Sequence, residues 1–400
     1  MQKESVKKYL KSHFSTVEKN REKFIPGKTK IPVAVPAFGW EEVYEALDSM
    51  LEIKTTMSKK VEMFEKLFAK YIGVKYALMV NSGSSANLLA LSILNNPFLG
   101  KKQIKEGHEV ITPAVTWSTT VFPIVNINVK PVFVDVDSKT FNIDPKKIEK
   151  AITKKTKAIM PIHYAGQTCE MELINEIAKK HDLFVIEDAA PAIGATHKGK
   201  KSGTLGDIAG FSFFPDKNMT TGEGGMVVTD SAELAEKCTV LKKNGASKRY
   251  FHTEIGWNFK LSDINAALGI SQLKRIDKTI EGKNNCAKIY DELLEDVKGV
   301  RAPIVRSYNK SSYMIYSILA ESNELREKIK NSLEKNGIET RINFPPTHTQ
   351  PVYTERFGHR KGECVISEDV SERILGLPIY INITENEQQL VVNTIKEAMK

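Results

Sequence analysis

The chain contains little cysteine and no long apolar run, and each absence excludes a class of protein. Its four cysteines make no CxxC pair and lie far apart, at Cys169, Cys238, Cys286 and Cys364. This spacing argues against a disulfide framework or a zinc site, so we expect reduced thiols, no bound metal and a cytoplasmic location. No apolar stretch approaches the length of a membrane span and no signal-peptide pattern opens the sequence, so we expect no membrane insertion.

Positive charge is concentrated at the start of the chain and is scarce elsewhere. Residues 1–30 hold nine Lys or Arg and three Glu, a net +6, which leaves +3 of the formal +9 for the other 370 residues. Apolar residues recur in this arm at helical spacing, at Val6, Leu10, Phe14 and Val17. The pattern predicts a basic amphipathic helix that lies on the body of the protein. Binding of nucleic acid or a membrane surface by the arm is the alternative, but no nucleic-acid-binding motif accompanies it.

Short apolar runs alternate with helix-like segments between residues 75 and 230. The runs are KYALMV, HEVITP, KPVFVDV, KAIMPIH and LFVIED, and the segments between them include SSANLLALSILNN, DPKKIEKAITKK and EMELINEIAKKH. This alternation predicts an α/β fold with a mostly parallel sheet flanked by helices. The length of 400 residues favours two domains. Ligands of such sheets bind at the carboxyl ends of the strands.

Several polar residues follow predicted strand ends. The turn at Gly83, with Ser84 and Ser85 at the start of a helix, is typical of a phosphate site, although Ser84 could be only a helix N-cap. Trp117 could cover a flat ring or pack in the core. Glu187 and Asp188 end a strongly apolar strand, where a carboxylate needs a cation or a hydrogen-bond donor.

Lys217 lies in FSFFPDKNMTTGEGGMVV, between a predicted strand and a run of glycines. It is either a surface lysine or a partly buried amine with a chemical role. A phosphate turn, an aromatic ring, a buried carboxylate and a lysine together suit pyridoxal 5'-phosphate, which has a phosphate, a flat ring, a basic ring nitrogen and an aldehyde. The pattern therefore favours an enzyme that uses this cofactor.

At this point the sequence resembles a known family, the sugar aminotransferases of the DegT/DnrJ/EryC1/StrS group, from about residue 31 to 400. The resemblance rests on MFEKLFAKYIGVKYALMVNSGSSA, PIHYAGQTCEM, VIEDAAPAIGA, GTLGDIAGFSFFPDKNMTTGEGG, GWNFKLSDINAALG and LGLPIYINIT. It implies the aspartate-aminotransferase type of fold (fold type I). In domain terms we expect an arm over residues 1–30, a large cofactor domain over 31–275 and a small α/β domain over 276–400.

The resemblance also implies roles for individual residues. Lys217 would form the Schiff base with pyridoxal phosphate and be the catalytic residue. Asp188 would pair with the ring nitrogen and Trp117 would stack on the ring. The phosphate would meet the Gly83–Ser85 turn and Ser212.

Further roles concern the partner subunit and the substrates. Asn258 would reach the phosphate in the neighbouring subunit of a homodimer with shared active sites. His348 would lie near the sugar, and His163 is either a substrate contact or a structural group. The implied reaction moves an amino group from L-glutamate, through the pyridoxamine form, to a keto group of a nucleotide-linked deoxysugar for lipopolysaccharide or other surface glycans.

Some features depart from the family pattern. Pro191 stands where a glutamine usually contacts the ring hydroxyl, and Lys260 and Asn265 replace a commoner arginine and glutamine. The basic arm and the insertion NNPFLGKKQIKEGHEV are similar to keto-sugar 3-dehydratases, which have histidine at the position of Lys217. The retained lysine favours an aminotransferase, with the dehydratase as the alternative. A non-catalytic binding protein is a second alternative, but it would be expected to lose Lys217, Asp188 or the phosphate turn.

Overall fold

A computed structural model describes residues 2–19, 24–25 and 28–400, and it combines a large mixed α/β unit with a smaller C-terminal core. The helices are Gln2–Lys19 (α1), Trp40–Leu51 (α2), Lys59–Ile72 (α3), Gly83–Leu94 (α4), Ser118–Asn126 (α5), Pro145–Ala151 (α6), Met171–Lys180 (α7), Ala232–Leu241 (α8), Asp263–Leu273 (α9), Ile276–Leu294 (α10), Asn323–Lys335 (α11), Pro351–Phe357 (α12), Val365–Arg373 (α13) and Glu385–Ala398 (α14). None of these helices is long and apolar enough to cross a membrane, within the described part of the chain.

The strands form one large sheet and three small ones. They are Tyr76–Val80 (β1), Glu109–Pro113 (β2), Lys130–Val134 (β3), Thr156–Ile159 (β4), Phe184–Asp188 (β5), Thr196–His197 (β6), Lys200–Lys201 (β7), Ile208–Ser212 (β8), Gly225–Thr229 (β9), Ala246–Lys248 (β10), Phe251–His252 (β11), Val300–Arg301 (β12), Asn309–Lys310 (β13), Tyr316–Ala320 (β14) and Ile374–Leu377 (β15). The five runs predicted as strands correspond to β1 to β5.

The large sheet has seven strands in the order β1-β9-β8-β5-β4-β2-β3. Strand β9 is antiparallel to both of its neighbours, β1 and β8, while β8, β5, β4, β2 and β3 pair in parallel. Because β1 reverses direction relative to β9, it points the same way as the parallel strands. The carboxyl ends of six strands therefore lie at one edge, and the predicted mostly parallel sheet is confirmed.

Each face of this sheet is covered by helices, because alternate side chains of a strand point to opposite sides. In β1, Leu78 and Val80 pack into one core together with α4, α5 and α8, whereas Ala77 and Met79 pack into the opposite core. Helix α3 covers that second core with apolar residues about one turn apart, at Val61, Phe64, Phe68 and Ile72. The sheet is thus buried on both sides, which fixes the positions of its strand ends.

The C-terminal core surrounds the sheet β12-β14-β15, with α10, α11 and α14 packed against it. Helix α10 is shared, since Ile280 belongs to the core of the large sheet and Tyr290 to the C-terminal core. Ile31 is also buried in the C-terminal core, and its backbone bridges to Ile338. The boundaries expected at residues 31 and 276 stay a prediction.

The basic arm forms helix α1 as predicted from its apolar spacing, and its lysines contact α2. Lys7 and Lys11 lie over the indole ring of Trp40, with Nζ 6.0 and 4.6 Å from the ring centroid. Lys3 forms an ion pair of 2.5 Å with Asp48. Residues 20–23 and 26–27 of the arm lie outside the described residues. Three of its cations therefore take part in docking α1 on the body.

We expect Trp40→Ala to release α1, because the substitution removes the ring that faces two lysines. Cation–π contacts at exposed sites contribute about 0.5–1 kcal/mol each, so trypsin should cut within α1 about five- to tenfold faster. Limited proteolysis followed by mass spectrometry measures this rate. Tyr9→Ala, which alters a side chain that is 69% exposed, is the control and should be cut at the parental rate. An unchanged rate for Trp40→Ala would show that other contacts hold α1.

Candidate active site

One pocket lies where the carboxyl ends of the strands face the C-terminal core. It encloses about 680 Å³, a size typical of small-molecule sites. Residues 341–345 from the C-terminal core close one side of it. Six residues predicted from the sequence line it together, namely Gly83, Ser84, Trp117, Asp188, Ser212 and Lys217. These residues follow or end β1, β2, β5 and β8, so the common edge of the sheet brings them together.

The amino terminus of α4 points into the pocket. Its N-cap is Ser82, whose Oγ accepts a hydrogen bond of 3.1 Å from the backbone N–H of Ser85. The sequence analysis placed the helix start one or two residues too late, because Ser82 is extended and Gly83 already begins the helix. Ser84 is therefore not the cap, and it is exposed to the pocket. Free N–H groups and a hydroxyl at this helix end suit an oxyanion.

Gly83 permits a close approach between the α4 turn and strand β8. A Cβ atom at this position would lie 2.5 Å from the Cβ of Ser212, which is too close for any side chain. The glycine thus brings the hydroxyl of Ser212 beside the helix amino terminus. The predicted phosphate turn and Ser212 form one surface, although they are about 130 residues apart in the chain.

Asp188 is a buried carboxylate at the end of β5, with 2% of its surface exposed. Its Oδ2 accepts a hydrogen bond of 2.6 Å from the hydroxyl of Thr120, and its Oδ1 accepts one of 3.1 Å from the N–H of Ala190. Burial raises the pKa of Asp188, while these hydrogen bonds and the charge of Lys217 lower it in part. Since burial has the larger effect, the hydrogen bonds only partly offset the cost of burying the charged carboxylate. A cationic partner in the pocket would therefore stabilise it.

Glu187, the neighbour of Asp188, points to the opposite face and has a structural role. Its carboxylate accepts hydrogen bonds of 2.7–2.8 Å from the N–H groups of Gly203, Leu205 and Gly206. It also contacts Nε2 of His163 at 2.8 Å, while Nδ1 of that ring accepts a bond from the N–H of Cys169. Both ring nitrogens of His163 are occupied and the side chain is fully buried, which favours the structural alternative over a substrate contact.

Lys217 lies in a turn after β8, where its backbone N–H donates to the carbonyl of Phe214 at 3.0 Å. The loop then returns to the sheet, because Phe213 donates to the carbonyl of Gly224 at 2.9 Å. The side chain of Lys217 is only 17% exposed, and its Nζ lies 3.2 Å from Oδ1 of Asp216. Lys217 is therefore a pocket amine and not a surface lysine.

Besides His163, three further predicted site residues do not line the pocket of their own chain. Ser85 is buried in the first turn of α4, where it bonds with Ser82. His348 is fully buried and contacts Glu368 at 2.9 Å, and its expected position near the sugar stays a prediction. Asn258 is exposed and away from this pocket. Its expected role in a neighbouring subunit stays a prediction.

The structure adds pocket residues that the sequence analysis missed. Asn87 is 2% exposed, and its Oδ1 is buried without a hydrogen-bond partner in the described residues. Its spacing of three to four residues from the Gly83–Ser84 turn on a helix could have indicated it. Asp216 could have been noticed beside Lys217. Arg341 comes from the C-terminal core, and no local pattern connects it with this site.

The fold and pocket define the class of protein. A mostly parallel sheet with a lysine and a buried carboxylate in the crevice at its carboxyl ends is the arrangement of pyridoxal-phosphate enzymes of the aspartate-aminotransferase type. The sequence itself gives the narrower identification: the chain belongs to the DegT/DnrJ/EryC1/StrS aminotransferase family, whose model matches residues 39–396.

Relatives agree with this membership. The chain is 38% identical to GDP-perosamine synthase of Escherichia coli O157:H7, covering 92% of this chain and 98% of the relative. It is 33% identical to a dTDP-4-dehydro-2,6-dideoxy-D-glucose 3-dehydratase of Saccharopolyspora spinosa, covering 94% and 87%. Among solved structures, PseC of Helicobacter pylori, an aminotransferase of pseudoaminic acid biosynthesis, superimposes with a TM-score of 0.86 at 29% identity, covering 92% and 99%.

The residues present fit pyridoxal phosphate. The amino terminus of α4 and the Ser212 hydroxyl offer donors for the phosphate, and Asp188 needs the positive charge that a protonated ring nitrogen carries. The indole of Trp117 is 56% exposed at the pocket wall, so it has a free face for a flat ring. Pro191 also lines the pocket, and it has no donor for the ring hydroxyl.

We expect Asp188→Asn to stabilise the cofactor-free protein above neutral pH. Burial raises the folded-state pKa of this carboxyl, so its contribution to stability is lost as the pH rises through that pKa, and the amide removes the loss. The melting temperature should rise by about 2 °C at pH 8, and the gain should vanish near pH 4. Thermal unfolding at both pH values measures the effect.

Glu187→Gln is the matched comparison, because it changes the next residue of the same strand. An amide nitrogen cannot accept the backbone N–H groups that the carboxylate accepts, so this variant should lose about 1–3 kcal/mol at both pH values. A lower melting temperature of Asp188→Asn than of the wild type at pH 8 would contradict the inference that the buried charge of Asp188 is only partly offset.

Proposed function

We propose that this chain is a pyridoxal-phosphate-dependent aminotransferase that moves an amino group from L-glutamate to a keto group of a nucleotide-linked deoxysugar, for lipopolysaccharide or other surface glycans. The observation that carries the proposal is the position of Lys217 and Asp188 in one pocket, where the lysine charge acts on the buried carboxylate. The family and the relatives that make amino sugars support the substrate class.

Each side chain of the pocket would have a separate role in the proposed reaction. Pyridoxal phosphate, when bound, supplies an electron sink for negative charge beside the amine nitrogen. Asp188 would keep the ring nitrogen protonated, and the α4 amino terminus with Ser212 would hold the phosphate. Lys217 would hold the aldehyde carbon and, once released as a free amine, would move a proton between the donor carbon and the cofactor carbon. Trp117 would cover the ring and exclude water from one of its faces.

The size and surroundings of the pocket support a nucleotide-linked sugar as the substrate. A volume of about 680 Å³ accommodates a cofactor together with a sugar. The pocket is not fully enclosed, which leaves room for a nucleotide to extend outward. We place the enzyme in the cytoplasm, where nucleotide-linked sugars are made, and its four buried free cysteines are consistent with a reducing compartment.

A keto-sugar 3-dehydratase is the second candidate, since such an enzyme is among the relatives. The specific observation against it is Lys217, because the histidine expected in dehydratases cannot hold the cofactor covalently. The retained lysine is therefore best explained by transamination.

We expect the purified protein with pyridoxal phosphate to show a visible absorbance band from the Lys217 linkage. L-glutamate should replace it with the shorter-wavelength band of the pyridoxamine form. Lys217→Ala should abolish the linkage band and lower turnover by about three orders of magnitude or more. Lys198→Ala, at a surface lysine paired with Glu172, is the control. A wild-type band that glutamate leaves unchanged would contradict glutamate-driven transamination.

We also propose a homodimer with shared active sites. The β10–β11 hairpin and the residues that follow it carry highly exposed apolar side chains, with Tyr250 84%, Phe251 60% and Ile255 97% exposed. Exposed apolar groups of this kind mark interaction surfaces. Asn258 follows the hairpin and is itself exposed, in accord with its expected role at a neighbouring phosphate site. A second copy of this chain is therefore the proposed occupant of the hairpin surface.

Mixed dimers test the sharing of sites. If Asn258 serves the partner's pocket, a dimer of one Lys217→Ala chain and one Asn258→Ala chain contains one intact site. Its activity should be about half that of the wild type, although each homodimeric variant is impaired. Differently tagged chains, co-expressed and purified by both tags, provide this heterodimer. If Asn258 acts within its own chain, the heterodimer would have no intact site and would stay as impaired as the parents.

A further inference from the structure

Asp216 lies between two cations in the pocket. Its Oδ1 is 3.2 Å from Nζ of Lys217, and its Oδ2 accepts a hydrogen bond of 2.9 Å from Arg341. Oδ1 is buried and has no hydrogen-bond partner among the described residues, so its contact with Lys217 is an ion pair without an aligned hydrogen bond. This oxygen can therefore accept a hydrogen bond from a protonated nitrogen that moves within the pocket.

The backbone fixes both ends of this arrangement. Arg341 exchanges two backbone hydrogen bonds with Gly376 of β15, at 3.1 and 2.7 Å, so it is anchored to the C-terminal core. Asp216 lies in the turn after β8, whose closing bond joins Lys217 to Phe214. The carboxylate thus connects the lysine turn of the large sheet with the C-terminal core.

A third cation lies behind the pair. Lys283 is on α10, between the large-sheet and C-terminal parts of that helix, and it is 5% exposed. Its Nζ is 3.5 Å from the carbonyl oxygen of Met314, which lines the pocket. Burial lowers the pKa of Lys283 to about 8, with attraction to Asp216 raising it and repulsion by Lys217 lowering it. Its charge therefore acts on the same two residues.

We infer that Asp216 is a positioning residue for the Lys217 nitrogen: it favours the protonated form of that nitrogen, and Arg341 and Lys283 limit this effect. The inference rests on the proposed function, since it takes Lys217 as the cofactor-bearing residue. A protonated nitrogen would make the linkage a better electrophile for an incoming amine. Asp216 thus adjusts a step that Lys217 carries out.

The signs of the charge effects follow from the groups that face the nitrogen. Asp216 attracts positive charge there, and the pocket carboxylates Asp188 and Glu223 act in the same direction. Arg341 and Lys283 oppose it. Arg341 is 44% exposed, so solvent screens its effect more than that of the buried Lys283. Removal of the anion and removal of either cation must therefore shift the protonation of the linkage in opposite directions.

The test is a pH titration of the linkage absorbance band in the cofactor-loaded protein, which needs no turnover. Asp216→Asn should lower the apparent pKa of the linkage by about 1 unit. Arg341→Gln should raise it by about 0.5 unit, and Lys283→Met should raise it by a similar or larger amount. Asp182→Asn, at a carboxylate 74% exposed and outside the pocket, is the control and should leave the titration unchanged.

Opposite shifts support the inference, whereas an unchanged or raised pKa in Asp216→Asn overturns it. If that variant is not obtained folded, the expected upward shift in Arg341→Gln decides the question alone, and its absence overturns the inference. A merely structural role would lower stability without shifts of opposite sign. A wild-type protein with no linkage band would defeat the proposed function itself, so the two failures are distinguishable.

Discussion

The burial of one carboxylate constrains the rest of this site. Asp188 ends a strand covered on both faces, and two hydrogen bonds do not fully replace the water that it lost. The negative charge of this carboxylate is stabilised by nearby positive charges, which are those of Lys217 and of the protonated ring nitrogen of a bound cofactor. The stability of the empty protein and the electronics of the proposed reaction therefore depend on the same oxygen atoms.

The geometry of the sheet explains how distant residues meet this carboxylate. Strands β1, β5 and β8 point the same way, since β9 is antiparallel to both of its neighbours. The α4 turn, Asp188 and the turn that carries Lys217 lie at or just after the carboxyl ends of these strands, so they meet at one edge of the sheet. Gly83 then allows the first of these to pack directly on Ser212. The pocket is thus a consequence of strand direction together with one position that excludes a side chain.

The C-terminal side of the pocket supplies positive charges that act on Asp216 and Lys217. Arg341 is anchored to β15 and reaches Asp216, while Lys283 approaches from α10. Arg341 belongs to the C-terminal core and Lys283 to the helix that both cores share, so a motion of the C-terminal core relative to the sheet would change the electric field at Lys217. The exposed hairpin of β10 and β11 is the proposed contact element for a second subunit.

The sequence by itself determined the strand–helix alternation, the common edge of the strands and the meeting of Lys217 with Asp188, because parallel strands end at the same side. The strand pattern could not decide which of Glu187 and Asp188 faces the crevice, since alternation only places them on opposite faces, and only the family resemblance favoured Asp188. Packing decided that, and it placed His163 and His348 in buried hydrogen-bonded positions. Tertiary structure alone brought Arg341 to Asp216, because their approach depends on how two cores close and not on any spacing along the chain.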